Sequence, residues 1–338
     1  MHEDFIAGLP KAELHVHQVG SATPRIVAEL AARHPGPVPA DEAELERFFV
    51  FDDFAHFIRI YLSVVELVRT PEDVRLLTYE VARDMAAQQI RYAELTVTPY
   101  ISVNPECGVP AFLEAIEDAR TAAARDLGVE LAWIFDIPAD FGLPAAEMTV
   151  TTALEHDVPG LVGFGIGGSE VGFPRSLFRD QFDRARAAGL HSVPHAGETT
   201  GPETVWDALQ TLGAERIEHG ITAVQDPRLL EHLAAEGVTL DVCPTSNVAL
   251  GVVSTLESHP IRELVAAGVR VSVNTDDPPM FGTDLNREYA VAARLLELDE
   301  DGLAGLTRTA VASSFAPPAV QAGLQAEISA YVESRRQP

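Results

Sequence analysis

The sequence predicts a closed (β/α)8 barrel. Two observations point there: eight short β-rich runs recur at the length of a strand-plus-helix unit, and residues that bind metals or carry protons gather at the carboxyl ends of those runs. The runs begin near Glu13, Arg91, Glu130, Leu161, His191, Glu215, Val238 and Val269. The last six starts are 31, 30, 24, 23 and 31 residues apart, by subtraction of those positions. Parallel neighbours need a crossover of a dozen or more residues, usually a helix, and these intervals supply it. Helix openings with proline in the first turn fall inside the intervals, at Pro110 and at Pro227. Eight such repeats favour a closed barrel over an open doubly wound sheet. Its length of 338 residues suits one domain spanning 1–338.

One interval is too long for a single crossover. The first two starts are 91 − 13 = 78 residues apart, which predicts a helical insertion over about 21–90. Within it Phe54, Phe57, Ile58, Tyr61, Val64, Val65 and Val68 recur at helical spacing, preceded by Phe48, Phe49 and Phe51. Leaving the carboxyl end of the first strand, this segment is expected to lie over the barrel mouth as a lid insertion, its aromatics either packing the added helices on the barrel or covering the substrate.

Composition narrows the partners. With 24 basic against 51 acidic residues the formal charge is −27, which repels phosphate backbones and anionic membrane faces. Nucleic-acid polymers and membranes are therefore excluded as expected partners, a small molecule is favoured, and a homo-oligomer stays open. Only Cys107 and Cys243 are present, too few for a disulfide framework or a cysteine-rich zinc site. The start Met1–Phe5 has no basic segment followed by an apolar one, and no run of ~18 apolar residues occurs. A cytoplasmic protein is expected.

The chemistry-bearing residues sit in four segments. Side chains at i and i+2 of a strand share a face, so His15 and His17 converge inside the barrel. Adding His195 and Asp276, at the ends of the fifth and eighth runs, gives three imidazoles and a carboxylate, a donor set for one zinc-like ion with room for water. Such an ion lowers the pKa of water from 15.7 to roughly 7. His219 can orient or deprotonate that water, Asp277 can accept its hydrogen bond, and Glu198, three residues past His195, is the natural proton donor. His2, His34, His56, His156, His232 and His259 have no paired ligand and are expected at the surface or in packing, and His191 at the barrel floor. Cys243 is expected as a small buried thiol.

Leu14-His15-Val16-His17, His195-Ala196-Gly197-Glu198, Glu218-His219-Gly220, Cys243-Pro244-Thr245-Ser246-Asn247 and Asn274-Thr275-Asp276-Asp277-Pro278 together resemble the adenosine/adenine deaminase family of metal-dependent hydrolases, in order and over nearly the whole chain. The resemblance implies one Zn2+ per subunit and hydrolytic loss of the amine of a 6-aminopurine. It makes His15, His17, His195 and Asp276 the metal ligands and Glu198, His219 and Asp277 the catalytic residues. Gly168, Val19, His17 and Asp277 are expected as substrate-binding positions, the resemblance setting the Gly168 N–H toward the purine. The family's usual acidic residue for a ribose 5′-hydroxyl is replaced by Val19. Burying that hydroxyl unpaired costs ~1–3 kcal/mol, so a larger, less polar 5′ group is expected.

Within the family this pattern, with the aromatic insertion, resembles the aminodeoxyfutalosine deaminases of the menaquinone route, whose substrate carries a carboxyphenyl ketone. Insertion aromatics could stack on that ring. Arg59, Arg69, Arg175 and Arg179 are candidate partners for its carboxylate. The alternatives are adenosine, adenine or another 5′-modified adenosine as substrate, and a catalytically silent zinc-binding relative. An amidase or phosphoesterase with two metals and a bridging lysine is disfavoured, because the only lysine, Lys11, precedes the first strand.

Overall fold

Each of the eight runs forms a strand in the computed structural model, which describes residues 2–336. The strands are β1 (Lys11–His17), β2 (Ile90–Val97), β3 (Glu130–Pro138), β4 (Leu161–Gly167), β5 (His191–Ala196), β6 (Arg216–His219), β7 (Thr239–Val242) and β8 (Arg270–Val273). Their starts lie within two residues of the expected ones, their order is sequential, and the pairs from β1–β2 through β7–β8 are parallel. This is a (β/α)8 barrel. Met1, Gln337 and Pro338, at the ends of the expected single domain, lie outside the described residues.

The seam between β1 and β8 closes just past the end of β8. Val16 bridges to Asp276, the His17 N–H donates to Asp276 O at 2.9 Å, and the Asp276 N–H donates to His15 O at 3.1 Å. Below this, the Leu14 N–H donates to the side-chain oxygen of Asn274 at 2.8 Å. A side-chain amide stands in for a missing ladder bond, as buried backbone donors require.

The long first crossover holds α2 (Pro24–Arg33), α3 (Glu42–Phe48), α4 (Phe54–Val65) and α5 (Pro71–Ala87), after the short α1 (Glu3–Gly8). Thr70 and Asp73 cap the start of α5 reciprocally, with Pro71 at the first helical position. α5 packs on β2 and on α7 (Val109–Leu127), which follows the short α6 (Pro99–Ser102), so it takes the place of a barrel-ring helix. α4 instead borders the mouth. Both proline-marked openings are helices, α7 and Pro227–Glu236, the latter capped by Asp226 accepting from the Arg228 N–H at 3.0 Å. Among the described residues no helix is long and apolar enough to cross a membrane.

Candidate active site

The carboxyl ends of β1, β5, β6 and β8 bring four imidazoles and a carboxylate together. Ring centroids of His15, His17, His195 and His219 lie 4.6–5.8 Å apart in the contacting pairs. Asp276 faces them: Oδ1 is 3.3 Å from His17 Nε2 and 3.8 Å from His15 Nε2, and Oδ2 is 3.8 Å from His219 Nε2. Ser246 Oγ donates to Asp276 Oδ2 at 2.6 Å, which fixes the carboxylate. The register of the barrel places Glu218 opposite His195, and its Oε2 is 2.6 Å from His195 Nδ1, leaving His195 Nε2 for the site.

These atoms fit a metal. His15 Nδ1 is 3.1 Å from the carbonyl of Asp241, an acceptor, so the proton belongs on Nδ1 and the lone pair on Nε2. That Nε2 is buried with no hydrogen-bond partner. Burial holds the His15 imidazole down at about 4, keeping it neutral at physiological pH. Potential ligand atoms of His15, His195, His219 and Asp276 all lie within 4.8 Å of one another, and His17, Asp276 and Asp277 form an overlapping trio. Proximity alone thus ranks His219 with the ligands. A second-row carboxylate on His195 is what metal-binding histidines typically carry.

The proton-carrying groups stand beside this centre. Glu198 is aimed by Glu170, whose Oε2 accepts the N–H groups of Glu198, Thr199 and Thr200 at 3.2, 2.6 and 2.9 Å. Glu198 Oε1 is buried without a hydrogen-bond partner, 3.6 Å from His219 Nε2. Burial, then the charge of Asp276, pushes the Glu198 carboxyl up to about 8, so it is mainly protonated at neutral pH. The same two causes hold Asp277 well above its ordinary range, and its Oδ1 also lacks a partner. Burial and the neighbouring His15 keep His219 well below its ordinary value, hence neutral.

Backbone geometry shows how tightly these positions are determined. His219 and Asp276 have φ of 64° and 67°, left-handed conformations that cost a non-glycine residue roughly 1–3 kcal/mol each. Gly20 leaves space for Asp277: a methyl group there would sit 1.5 Å from Asp277 Oδ1. Gly168 has φ of 79°, and a methyl group on it would meet Asp140 Oδ2 at 2.4 Å.

A cavity of about 300 Å³ opens from this centre. Its lining joins the polar residues His17, Asp136, Asp140, Gly168, His195, Glu198, His219, Asp276 and Asp277 with an aromatic and aliphatic set, Phe54, Phe57, Ile58, Tyr61 and Leu62 of α4 together with Phe141 and Leu250. Val19 is elsewhere, packed in the core at 5% exposure and not on the wall. None of the four candidate arginines lines the cavity. Arg59, Arg69 and Arg179 are exposed, and Arg175 is buried behind His195, its Nε donating to the His195 carbonyl at 2.8 Å. Lys11 is tied to the carbonyls of Ile6, Leu9 and Gln88 at the amino end of β1, so no lysine reaches the mouth. Cys243 is buried, with Sγ 3.4 Å from His15 Nδ1, the ring nitrogen opposite the orphaned one.

Sequence reasoning missed Glu170, Glu218, Asn247 and His259. Glu218 could have been found from the register of adjacent parallel strands. His259 could not, because nothing in its surroundings marks it, yet its Nε2 is 3.1 Å from Asn247 Oδ1 and Asn247 Nδ2 is 3.2 Å from His219 Nδ1.

Residues 10–331 match the family model described as adenosine deaminase. An aminodeoxyfutalosine deaminase of Streptomyces avermitilis is 62% identical over 330 residues, covering 97% of this chain and 92% of that protein. The crystal structure of adenine deaminase from Arthrobacter aurescens superposes with a TM-score of 0.89 at 31% identity, covering 96% of this chain and all of that one. An amidohydrolase from Burkholderia ambifaria with bound Zn gives a TM-score of 0.90 at 25% identity, over 98% and 94% of the two chains. With a barrel whose mouth gathers acid, imidazole and carboxylate in the order the motifs require, this chain belongs to the adenosine deaminase family and is a hydrolytic deaminase.

Proposed function

We propose that the chain deaminates a 6-aminopurine nucleoside carrying a bulky 5′ substituent, with 6-amino-6-deoxyfutalosine as the substrate and ammonia as the leaving product. The observation that carries this reading is the 62% identity, over almost the entire length, to the Streptomyces avermitilis aminodeoxyfutalosine deaminase. The cavity supports it, because its lining combines polar groups suited to a purine with an aromatic and aliphatic wall of α4 side chains. An aryl group suits that wall through offset or edge contacts with Phe54, Phe57 and Tyr61. No arginine or lysine lines the cavity, so the substrate's carboxylate is read as reaching solvent at the mouth. Val19 contributes by offering no acid for a 5′-hydroxyl rather than by contact. A cytoplasmic setting is supported by two buried, free cysteines.

Members of the family are metal-dependent. In this chain His15, His17, His195 and Asp276 would hold one zinc-like ion per subunit, as the orphaned His15 Nε2 and the convergent donor set suggest. When bound, such an ion acts as a Lewis acid and makes water a nucleophile at neutral pH. The protein's own groups do the rest. Glu198, protonated and aimed into the cavity, gives its proton to the ring nitrogen beside C6, which makes C6 electrophilic. Asp277, raised by burial in the protein alone, would be returned to its carboxylate form by the charge of a bound cation and accept the proton of the attacking water, while His219 holds that water's oxygen. The Gly168 N–H positions the purine. Water adds at C6, Asp277 passes the proton it took to the amino nitrogen, the C6–N bond breaks to release ammonia, and the C6 hydroxyl proton returns to Glu198 to leave a 6-oxopurine.

The test is substrate competition. Measured by loss of adenine-band absorbance, kcat/KM for aminodeoxyfutalosine is expected to exceed that for adenosine by at least roughly tenfold, the size of effect expected from one buried unpaired hydroxyl, and to exceed that for adenine, which leaves the apolar wall unfilled. Equal or better use of adenosine or adenine would favour the second reading, an adenine or adenosine deaminase, which the Arthrobacter aurescens structure makes the natural alternative.

A further inference from the structure

Behind the site a hydrogen-bond chain runs from the backbone to His219. The Ile261 N–H points at His259 Nδ1, 3.1 Å away, His259 Nε2 is 3.1 Å from Asn247 Oδ1, and Asn247 Nδ2 is 3.2 Å from His219 Nδ1. All three side chains are buried. A backbone N–H can only donate, so the direction of every link follows from the first. His259 Nδ1 must present a lone pair, and burial keeps the ring neutral, its imidazole held down at about 4. The His259 proton therefore sits on Nε2 and is donated to the Asn247 oxygen. That turns the amide nitrogen toward His219, whose Nδ1 must accept. The opposite amide orientation would set donor against donor at one end, at a cost of ~1–3 kcal/mol per buried group left unpaired.

We propose that Asn247 and His259 are positioning residues that lock His219 in the tautomer with its proton on Nε2. His219 then donates a hydrogen bond to the oxygen of the attacking water, and it neither ligates the metal nor removes the water's proton. His219 Nε2 is the ring atom that faces Glu198 Oε1 and Asp276 Oδ2, at 3.6 and 3.8 Å, so the proton points into the reaction space. This separates His219 from His17, which distance alone does not. It also assigns the water's proton to Asp277. The inference rests on the deaminase reading for the role of the water, but not on the identity of the substrate.

The experiment is a two-bond 15N–1H correlation on the metal-loaded enzyme labelled with 15N-histidine, the His219 signals being identified by their loss in His219→Gln. The wild type is expected to show the Nε2–H pattern for His219. Asn247→Asp is nearly isosteric but accepts where the amide donated, so it should move a proton onto Nδ1. It should also lower kcat by roughly 10²-fold, the usual loss for one misdirected donor at a reaction centre, with KM and metal content little changed. His259→Gln, which can both accept from Ile261 and donate to Asn247, should keep the Nε2–H pattern and most of the activity, whereas His259→Leu should lose both. A wild-type His219 protonated on Nδ1, or an unchanged tautomer in Asn247→Asp and His259→Leu, would overturn the inference. A wrong substrate would leave these imidazole signals as expected, so the two readings fail separately.

Discussion

A histidine–glutamate pair stands at each end of the β5–β6 pairing, and the two pairs behave differently. At the carboxyl end His195 Nδ1 is 2.6 Å from Glu218, with side-chain exposures of 8% and 0%. At the amino end His191 Nδ1 is 2.9 Å from Glu215, with exposures of 39% and 47%. The upper pair is sealed from water inside a cluster of imidazoles and holds one ring nitrogen toward a shared centre. The lower pair is solvated, its ring stacked on Phe315 at 3.9 Å between centroids. An exposed ion pair contributes typically 0–1 kcal/mol, whereas a buried one leaves an uncompensated charge when a partner is removed. Identical residue types therefore stand in the candidate site at one end and contribute at most local stability at the other, and burial makes the difference.

The largest effect that would sharpen this contrast lies at Glu198. Glu198→Gln should keep the metal, by elemental analysis, and lose roughly 10²–10⁴ in kcat, because an amide cannot deliver the proton. Turnover near that of the wild type would remove Glu198 from the acid role.

Acid stability comes next. The folded value of His259, about 4, is below its ordinary 6.5, so the unfolded chain binds the proton first as pH falls. The associated stability is full above pH about 6.5 and declines toward about 4, by roughly 3 kcal/mol for that gap. His259→Gln should therefore flatten the fall of Tm between pH 6.5 and 4, and parallel curves for the two proteins would contradict the assignment.

At the upper pair, Glu218→Gln should weaken metal affinity about 10–100-fold in a chelator competition, the usual consequence of losing a carboxylate that orients a ligating histidine. At the lower pair, Glu215→Gln should change stability by no more than about 1 kcal/mol and leave kcat untouched. A comparable metal loss at both ends would erase the distinction between them.

Much of the site was legible because strands have a strict two-residue period and barrels display their strand ends. His15 and His17 share a face for that reason, and His195 and Asp276 could be assigned to the same mouth without knowing any distance. The aromatic spacing from Phe54 to Tyr61 likewise announced the helix that borders the cavity. What failed to show were contacts set by packing. Arg175 lies near the motifs in sequence but folds behind His195, away from the cavity, and Val19 turns into the core. The reciprocal capping of α5 by Thr70 and Asp73 is a contact within one turn, whereas the place of α5 in the barrel ring depends on contact with β2 and α7.

The sequence by itself determined the strand count, the helices between them and the inventory of acids and imidazoles, because periodicity and proline or capping signals act over a few residues. Tertiary structure alone decided how the barrel closes, with the Asn274 amide and Asp276 joining β8 to β1. It alone decided which carboxyl groups lose water and change protonation, and which way a proton faces on His219. Those outcomes depend on burial and hydrogen-bond direction among residues as far apart as Leu14 and Asn274, and no short-range pattern in a chain encodes either one.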